Sequence, residues 1–580
     1  MTIQPKGKVL IGAILAVAVF FGIKYYQGRP KDVTDLKKIG KVSIPDAPEA
    51  SLSGTAAVKL PIPSDKLSNK EGTEADWLMM AWQSQNAHLG ANGGAKTTEG
   101  SLYEAAGWNI NIIRQDDCMQ SCSELVKNCK ELKEGKTKKG VFITFMGSGI
   151  PNYFTSVYNA TKDLGPEYQP ICFMTSGKSY GEDQVIGSEE FKADKSKLKG
   201  KVLHGVRLDG DIDLALKLCA DADIKINPDE KLWYEDALNL SYAQTFLTAV
   251  NDYNNLSLKQ KRKIVRNGKT AGDTLVGIDL VATWTPGDVN AHNGRGGVTI
   301  ISTKEYASIM PNITMACKKF LNDNRDKVVN LIAATATEGD QIRSFNDVKQ
   351  YISTLSAKVW NENDAAYWLK YYDGVSIDKS THLGGSMVFN LKDMAYILGL
   401  DGTRDSYKDI YNTFGKLQSG YYPKDLPEVI DYSKVFDKSF TRSVMDNHPE
   451  LLEGKLLKVD YSQNTNEVVG SKSYTIEFNS GSSEILPESF KVLEDIAQSI
   501  STADGLKVLV EGHTDNTGNS DANMTLSNAR AKSVMNFLIS KKIDAERFES
   551  KGYGDTKPIA DNSTKAGQKK NRRVTITLTK

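Results

Sequence analysis

The sequence predicts an α/β protein in three parts: an N-terminal transmembrane helix, a large two-lobed α/β body and a small βαβαβ sandwich. Three observations carry this. From Trp77 to Phe440 short apolar runs alternate with amphipathic helices, the pattern of mixed layers rather than of a bundle or a β-sandwich. From Tyr474 onward the alternation resumes in a shorter, self-contained form. Val9–Ile23 is uncharged and almost wholly apolar between Lys6, Lys8 and Lys24.

Composition narrows the function classes. With 580 residues, 40% hydrophobic and 25% charged, the chain is long enough for several domains and ordinary enough to fold. Lys+Arg 73 against Asp+Glu 72 gives a net charge of +1, so no chain-wide grip on nucleic acid is expected. The 6 cysteines are too few for a disulfide scaffold, and no CxxC or zinc-finger spacing occurs. Cys118 and Cys122 sit one helical turn apart and are badly placed to pair with each other. In an exported domain a disulfide from Cys129 or another element is expected instead. No Walker A, HExxH, GxSxG or DFG-type set is present, so no enzyme, metal or cofactor is expected.

The run Val9–Ile23 spans about 22 Å as a helix, short of a roughly 30 Å hydrocarbon core. Flanking lysines and Tyr25-Tyr26 extend its reach. Lys-Tyr-Tyr-Gln-Gly-Arg-Pro follows it, a poor cleavage site, so residues 1–28 are expected to remain as a cytoplasmic stub and signal anchor. Residues 29–73 are rich in Pro, Ser, Lys and Asp and read as a tether spanning about 35–40 Å as a flexible coil.

In the body, Val141–Met146, Ile171–Thr175, Leu275–Trp284 and Val298–Ser302 read as buried strands. Ala215–Ala222, Ala237–Tyr253 and Met315–Ala336 read as helices, and mostly parallel sheets follow. Thr303-Lys304-Glu305-Tyr306, Met310-Pro311-Asn312, Phe320-Leu321-Asn322-Asp323-Asn324 and the Leu132–Met146 stretch resemble the type II periplasmic solute-binding proteins of nitrate, sulfonate and phosphate uptake. The resemblance covers most of 74–440. It implies two lobes around a hinged cleft and an ABC permease as partner, with 74–445 as the domain and 446–471 as a second linker.

In open α/β sheets ligands sit beyond the carboxyl ends of strands. That singles out Ser148 in Gly147-Ser148-Gly149, Ser176 after Ile171–Thr175, and the set Thr97, Thr98 and Ser101. Arg114 is a candidate charged clamp and Trp284 a candidate lid. Together they predict a small anion, such as phosphate or a sulfonate, as solute. Each residue also has an ordinary structural use as turn, cap, salt bridge or core. A receptor fold reused as an envelope scaffold that binds protein stays open beside the receptor.

In the C-terminal part, strands at Tyr474–Phe478, Lys507–Glu511 and Arg573–Leu578 alternate with helices at Ser489–Ile500 and Thr525–Ser540. The residues Gly512-His513-Thr514-Asp515-Asn516-Thr517-Gly518, Asn523, Leu526-Ser527-Asn528-Ala529-Arg530-Ala531, Gly552-Tyr553-Gly554 and Asn571-Arg572-Arg573-Val574 closely resemble the peptidoglycan-binding domain of outer-membrane protein A and its relatives over 472–580. The resemblance implies that Asp515 and Arg530 hold the diaminopimelate of the peptide stem. A carboxylate for the ammonium and a guanidinium fork for the carboxylate suit that zwitterion. Thr514 and Asn523 are expected to fix geometry, and Asn571 and Arg572 to brace the pocket or meet the glycan. Peptidoglycan then places the C-terminal bulk in the periplasm of a diderm bacterium, with the anchor a single pass in the inner membrane. Motor stator subunits share this plan, but Val9–Ile23 carries no carboxylate for an ion path.

Overall fold

A computed structural model describes residues 54–56, 58–376, 382–459, 461 and 466–580. The expected anchor, and the tether before Gly54, lie outside the described residues. Among the described residues no helix is long and apolar enough to cross a membrane.

The body is built on two six-stranded sheets. The first opens with β1 (Thr73–Met79), β2 (Trp108–Arg114), β3 (Gly140–Met146) and β4 (Pro170–Ser179). The chain then crosses to the second through β5 (Gln184–Gly187), β6 (Val202–Val206), β7 (Lys225–Asn227), β8 (Ala237–Ala243), β9 (Leu280–Thr283) and β10 (Val298–Ser302). It returns to the first with β11 (Pro311–Cys317) and β12 (Ser386–Val388). The spatial orders are β12-β4-β11-β3-β1-β2 and β10-β5-β9-β6-β8-β7. Each sheet keeps a parallel trio, β2-β1-β3 and β8-β6-β9, and the second adds β7 parallel to β8 at its edge. In each, the first strand to arrive from the other sheet, β11 or β5, inserts antiparallel beside the trio.

The sheets are therefore mixed, not mostly parallel as the sequence suggested. Apolar runs report burial on both faces but carry no sign of direction. Two expected helices also divide. Ala237–Tyr253 is β8 followed by the helix Phe246–Asn254, whose Thr245 cap accepts from the Thr248 N–H at 3.1 Å. Met315–Ala336 is the end of β11 and the helices Lys318–Asp323 and Arg325–Ser344. Short apolar runs do not distinguish strand from helix. All six cysteines are free thiols, in contrast to the disulfide expected on export.

The described end of the tether is pinned to the body. The Thr55 N–H donates to Asp340 Oδ1 at 3.2 Å, the Ala56 N–H to Ser344 Oγ at 3.0 Å and the Leu60 N–H to Gln341 Oε1 at 2.9 Å. The 446–471 stretch is similarly held where described. The Leu457 N–H donates to Asp393 Oδ1 at 2.8 Å, and Tyr461 Oη to the Asp504 carbonyl at 2.7 Å.

The C-terminal domain is a four-stranded sheet in the order β13-β16-β14-β15. Its strands are β13 (Val468–Tyr474), β14 (Lys507–His513), β15 (Phe548–Gly552) and β16 (Arg573–Thr579). The helices Phe490–Ser501 and Ser520–Ser540 cover it. The first strand ends where the sequence reading began it, at Tyr474. The inward line of the second helix is Asn523, Ser527, Ala531, Val534 and Leu538. Its small and polar members follow from a close approach. A Cβ on Gly512 would lie 2.2 Å from the Ser527 carbonyl oxygen, and the Gly554 N–H donates to Ser527 Oγ at 2.9 Å.

This domain is seated on the body. The Ser308 N–H donates to Asp504 Oδ1 at 2.8 Å, and the Gly505 N–H to the Glu305 carbonyl at 3.0 Å. Lys580 pairs with Glu305 at 2.7 Å, and Arg404 bridges Asp409 at 2.5 Å and Glu494 at 3.1 Å. Tyr306 Oη and Ser499 Oγ both donate to the Asp221 carboxylate, at 3.0 and 3.1 Å. One apolar cluster runs through both parts. At Gly505 an added Cβ would meet the Lys304 carbonyl oxygen at 2.0 Å, and backbone cannot yield there cheaply. The unit Pro48–Lys580 should scatter X-rays as one particle with a radius of gyration of about 24 Å. Gly505→Ala should raise that radius and leave the circular dichroism spectrum unchanged. An unaltered radius in the variant would contradict the seating.

Candidate functional site

The residues expected to hold a ligand in the C-terminal domain converge beyond the carboxyl end of β14. Asp515 follows the strand, and its Oδ1 accepts from the Thr517 N–H at 2.9 Å. Arg572, at the end of the helix Lys565–Asn571, donates from Nη1 to Asp515 Oδ2 at 2.5 Å. Asn523 Nδ2 donates to the carbonyls of Asp515 at 3.3 Å and Thr517 at 3.1 Å, which fixes the turn to the helix Ser520–Ser540. The Thr514 N–H donates to the Gly554 carbonyl at 2.9 Å.

Arg530 reaches the site from the same helix. Its Nε donates to the Ser482 carbonyl at 3.0 Å, and its guanidinium lies 4.8 Å from the centre of the Phe478 ring. Its two terminal nitrogens meet no acceptor among the described residues. A guanidinium held by one edge and one face presents its remaining fork to solvent, the geometry that takes a carboxylate by two hydrogen bonds. The platform of Phe478 and Ser482 was not singled out from sequence, because cation–ring contacts leave no spacing signal.

Burial opposes the Asp515 charge, but the Thr517 N–H and the Arg572 guanidinium outweigh it and hold the carboxyl below its usual range. Burial and the like charge of Arg572 lower Arg530, with Asp515 opposing. Asp515 thus lies within reach of two guanidiniums, and it is ionised at neutral pH. An ammonium at Asp515 and a carboxylate at Arg530 can be held together, so the arrangement selects a zwitterion. Asn571 is a brace, not a ligand contact. It is wholly buried, its Oδ1 accepts from the Ile559 and Ala560 N–H groups at 2.8 and 3.0 Å, and its Nδ2 donates to the Ala560 carbonyl at 2.9 Å.

Residues 477–572 match the OmpA family. This segment is an OmpA-family domain. Over 120 residues the chain is 37% identical to the probable lipoprotein YiaD of Escherichia coli, covering 21% of this chain and 55% of that protein. Over 103 residues it is 33% identical to the peptidoglycan-binding protein ArfA of Mycobacterium tuberculosis, covering 18% and 32%. The chain thus spans about a third to a half of these curated relatives. Among solved structures, the periplasmic domain of Helicobacter pylori MotB is 27% identical over 19% of this chain and 74% of that chain, with a TM-score of 0.18.

Outside the OmpA-family domain the expected solute contacts do not form one cleft. Thr97 Oγ1 donates to Asn92 Oδ1 at 2.7 Å, and Thr98 is buried beside it. Ser101 caps a short helix by accepting from the Glu104 N–H at 3.2 Å. Arg114 is spent on Asp116 at 2.8 Å, Glu362 at 2.7 Å and the Trp360 carbonyl at 2.6 Å. Trp284 stacks on Phe246 with ring centres 4.0 Å apart. Ser176 Oγ meets His88 Nε2 at 2.7 Å and donates to Asn312 Oδ1 at 2.9 Å. That Ser–His contact is not an activated nucleophile, since burial pushes His88 down to about 3 and its other nitrogen meets Tyr103 Oη at 2.8 Å, not a carboxylate. Ser148 is buried with its hydroxyl unpartnered.

His513 stacks on Tyr553 with ring centres 5.5 Å apart. Burial, with the charges of Arg573 and Lys557, pushes its imidazole down to about 4. The folded value lies below the ordinary 6.5 or so. The stability this group contributes is therefore full above pH 6.5 or so and is lost as pH falls through about 4. An NMR titration of the His513 ring should show its midpoint near 4, and a midpoint near the ordinary value would contradict the packing.

Proposed function

We propose that this chain is a non-enzymatic envelope protein that grips peptidoglycan through its OmpA-family domain and carries a receptor-type body beside the wall. The single observation that carries the wall role is Asp515 flanked by Arg572 and by the open fork of Arg530. That set matches the free ammonium and carboxylate on the diaminopimelate side chain. The names of relatives such as ArfA support the same reading.

The body is read as a small-solute receptor of the two-lobed periplasmic-binding-protein type. Support comes from the shared plan of the two sheets, each a parallel trio followed by an antiparallel visitor from the other. The two connectors between the sheets, residues 180–183 and 303–310, are short enough to act as hinges. Such a receptor delivers its solute to an inner-membrane partner, for which an ABC permease is the natural class. Val9–Ile23 is the anchor that keeps the body near that partner, in a single pass with the bulk in the periplasm.

The wall role is tested by pull-down of the unit Pro48–Lys580 on purified sacculi. Asp515→Ala and Arg530→Ala should each weaken binding roughly 10- to 150-fold, the loss of one charge-assisted pair of about 1.5–3 kcal/mol. Asp515 is buried and holds the Thr517 N–H and Arg572, so circular dichroism and melting are the folding control for both variants. Two folded variants that bind like the parent would show the pocket to be elsewhere.

A further inference from the structure

Six carboxylates are buried at the seam of the two sheets. Glu182 and Asp183 lie in the connector from β4 to β5. Asp209 caps the helix Gly210–Asp221, and Asp211 and Asp213 stand in its first turn. Asp288 stands in the first turn of the helix Gly287–Asn293. All six are more than nine-tenths buried, and Asp211, Asp213 and Asp288 are at 0% exposure. The charges that act on them most strongly are those of one another, with no lysine, arginine or histidine among these.

Some have neutral donors. Glu182 accepts from Trp82 Nε1 at 2.9 Å and from Ser386 Oγ. Asp288 accepts from Thr285 Oγ1 and the Gly384 N–H, each at 2.9 Å, from the Val289 N–H at 2.7 Å and from Gln184 Nε2 at 3.2 Å. Asp213 accepts from Gln418 Nε2 at 2.8 Å. Asp211 finds no donor for its oxygens and meets only Asp183, to which it donates as a neutral acid. Asp183 Oδ2 and Asp213 Oδ1 also lack a partner of good geometry. A helix N-terminus favours negative charge in its first turn, but this return is small beside the cost of burying a carboxylate with no donor.

Neutral groups at the seam are short of partners as well. Ser148 Oγ, wholly buried beside Asp213, finds none of good geometry. The Tyr367 hydroxyl, which feels Asp288 and Glu182, is buried and unpartnered. Buried polar groups with donors or acceptors to spare, set near acids that face one another, describe a site for a polar guest.

We propose that the seam binds a small organic cation with more than one ammonium or guanidinium group, held first by Asp211 and Asp183 and then by Asp213 and Asp288. This rests on the receptor reading of the body and replaces the anion expected from sequence. Among the described residues no three His, Cys, Asp or Glu side chains converge as a metal site, so a single compact ion does not match acids spread along the seam. Amino groups spaced along a chain do. Burial pushes Glu182, Asp211 and Asp213 well above the carboxylate range and Asp288 to about 6, the expected state of acids awaiting a counter-charge.

The test is thermal melting and calorimetry on the full chain. The probes are spermidine, cadaverine and agmatine, which carry no carboxylate to engage Arg530, and separately phosphate, sulfate and taurine. At least one amine should raise the melting temperature of the parent. Asp211→Asn should melt higher than the parent without any probe and bind that amine roughly tenfold or more weakly. Asp183→Asn should show the same loss of binding from the other side of the seam. Stabilisation by an oxyanion and by no amine overturns the cation and leaves the receptor reading standing. No response to either set overturns both. Amine binding unchanged in both Asn variants overturns the assignment to this seam.

Discussion

The contact on which the rest of the molecule depends joins the turn Asp504–Gly505 to the connector between β10 and β11. Two backbone-anchored hydrogen bonds, from the Ser308 N–H to Asp504 and from the Gly505 N–H to Glu305, sit on a segment that also ties one sheet of the body to the other. Only a glycine fits at 505, because the Lys304 carbonyl occupies the space of a Cβ. The OmpA-family domain is therefore seated on a segment that must flex if the sheets are to open. The site at Asp515 and Arg530 lies beyond the other end of β14, roughly 20 Å away at about 3.3 Å per residue. Seating at one end leaves the opposite end free.

The two charged regions are built on opposite principles. At the site of Asp515 and Arg530 every charge has a counter-charge in reach. Asp515 is paired with Arg572, and Arg530 is supported by a carbonyl and a ring but keeps an open fork. Such a site is stable when empty and gains by exchanging water for a zwitterion. At the seam of the sheets buried acids face one another with no cation among them, and Asp211 meets only Asp183. Burying such groups lowers stability unless a guest compensates, which is the usual mark of a site set for binding at the expense of stability.

The OmpA-family domain was largely legible in the sequence. Its helices and its last two predicted strands stand where the alternation placed them, and Asp515, Arg530, Asn523 and Arg572 meet as the motif implied. The first strand was set too late, because β13 carries Ser471 and Ser473 on its exposed face and Lys472 on the other, with little apolar signal. β15 (FESKG) escaped for the same reason. In the body, α/β alternation was legible but direction was not: β5 is only four residues long and carried no signal, and the end of β11 read as the start of a helix. The solute candidates were chosen as small polar residues after strands, the same residues that turns and caps need. Thr97, Ser101 and Arg114 serve those local uses. The run Asp209-Gly210-Asp211-Ile212-Asp213 carried a visible signal of its own but reads from sequence as an ordinary helix start. Only burial separates an ordinary cap from an unpaired acid.

The central claim is that Asp515 and Arg530 hold the two charged ends of one side chain. The most direct measurement is a crystal structure of the unit Pro48–Lys580 soaked with meso-diaminopimelate. The account predicts ligand density beyond β14, its carboxylate forked on Arg530 and its ammonium on Asp515, with no change at Asp504–Gly505. Density that leaves Arg530 or Asp515 untouched, or an empty pocket at concentrations that saturate binding in solution, would contradict it.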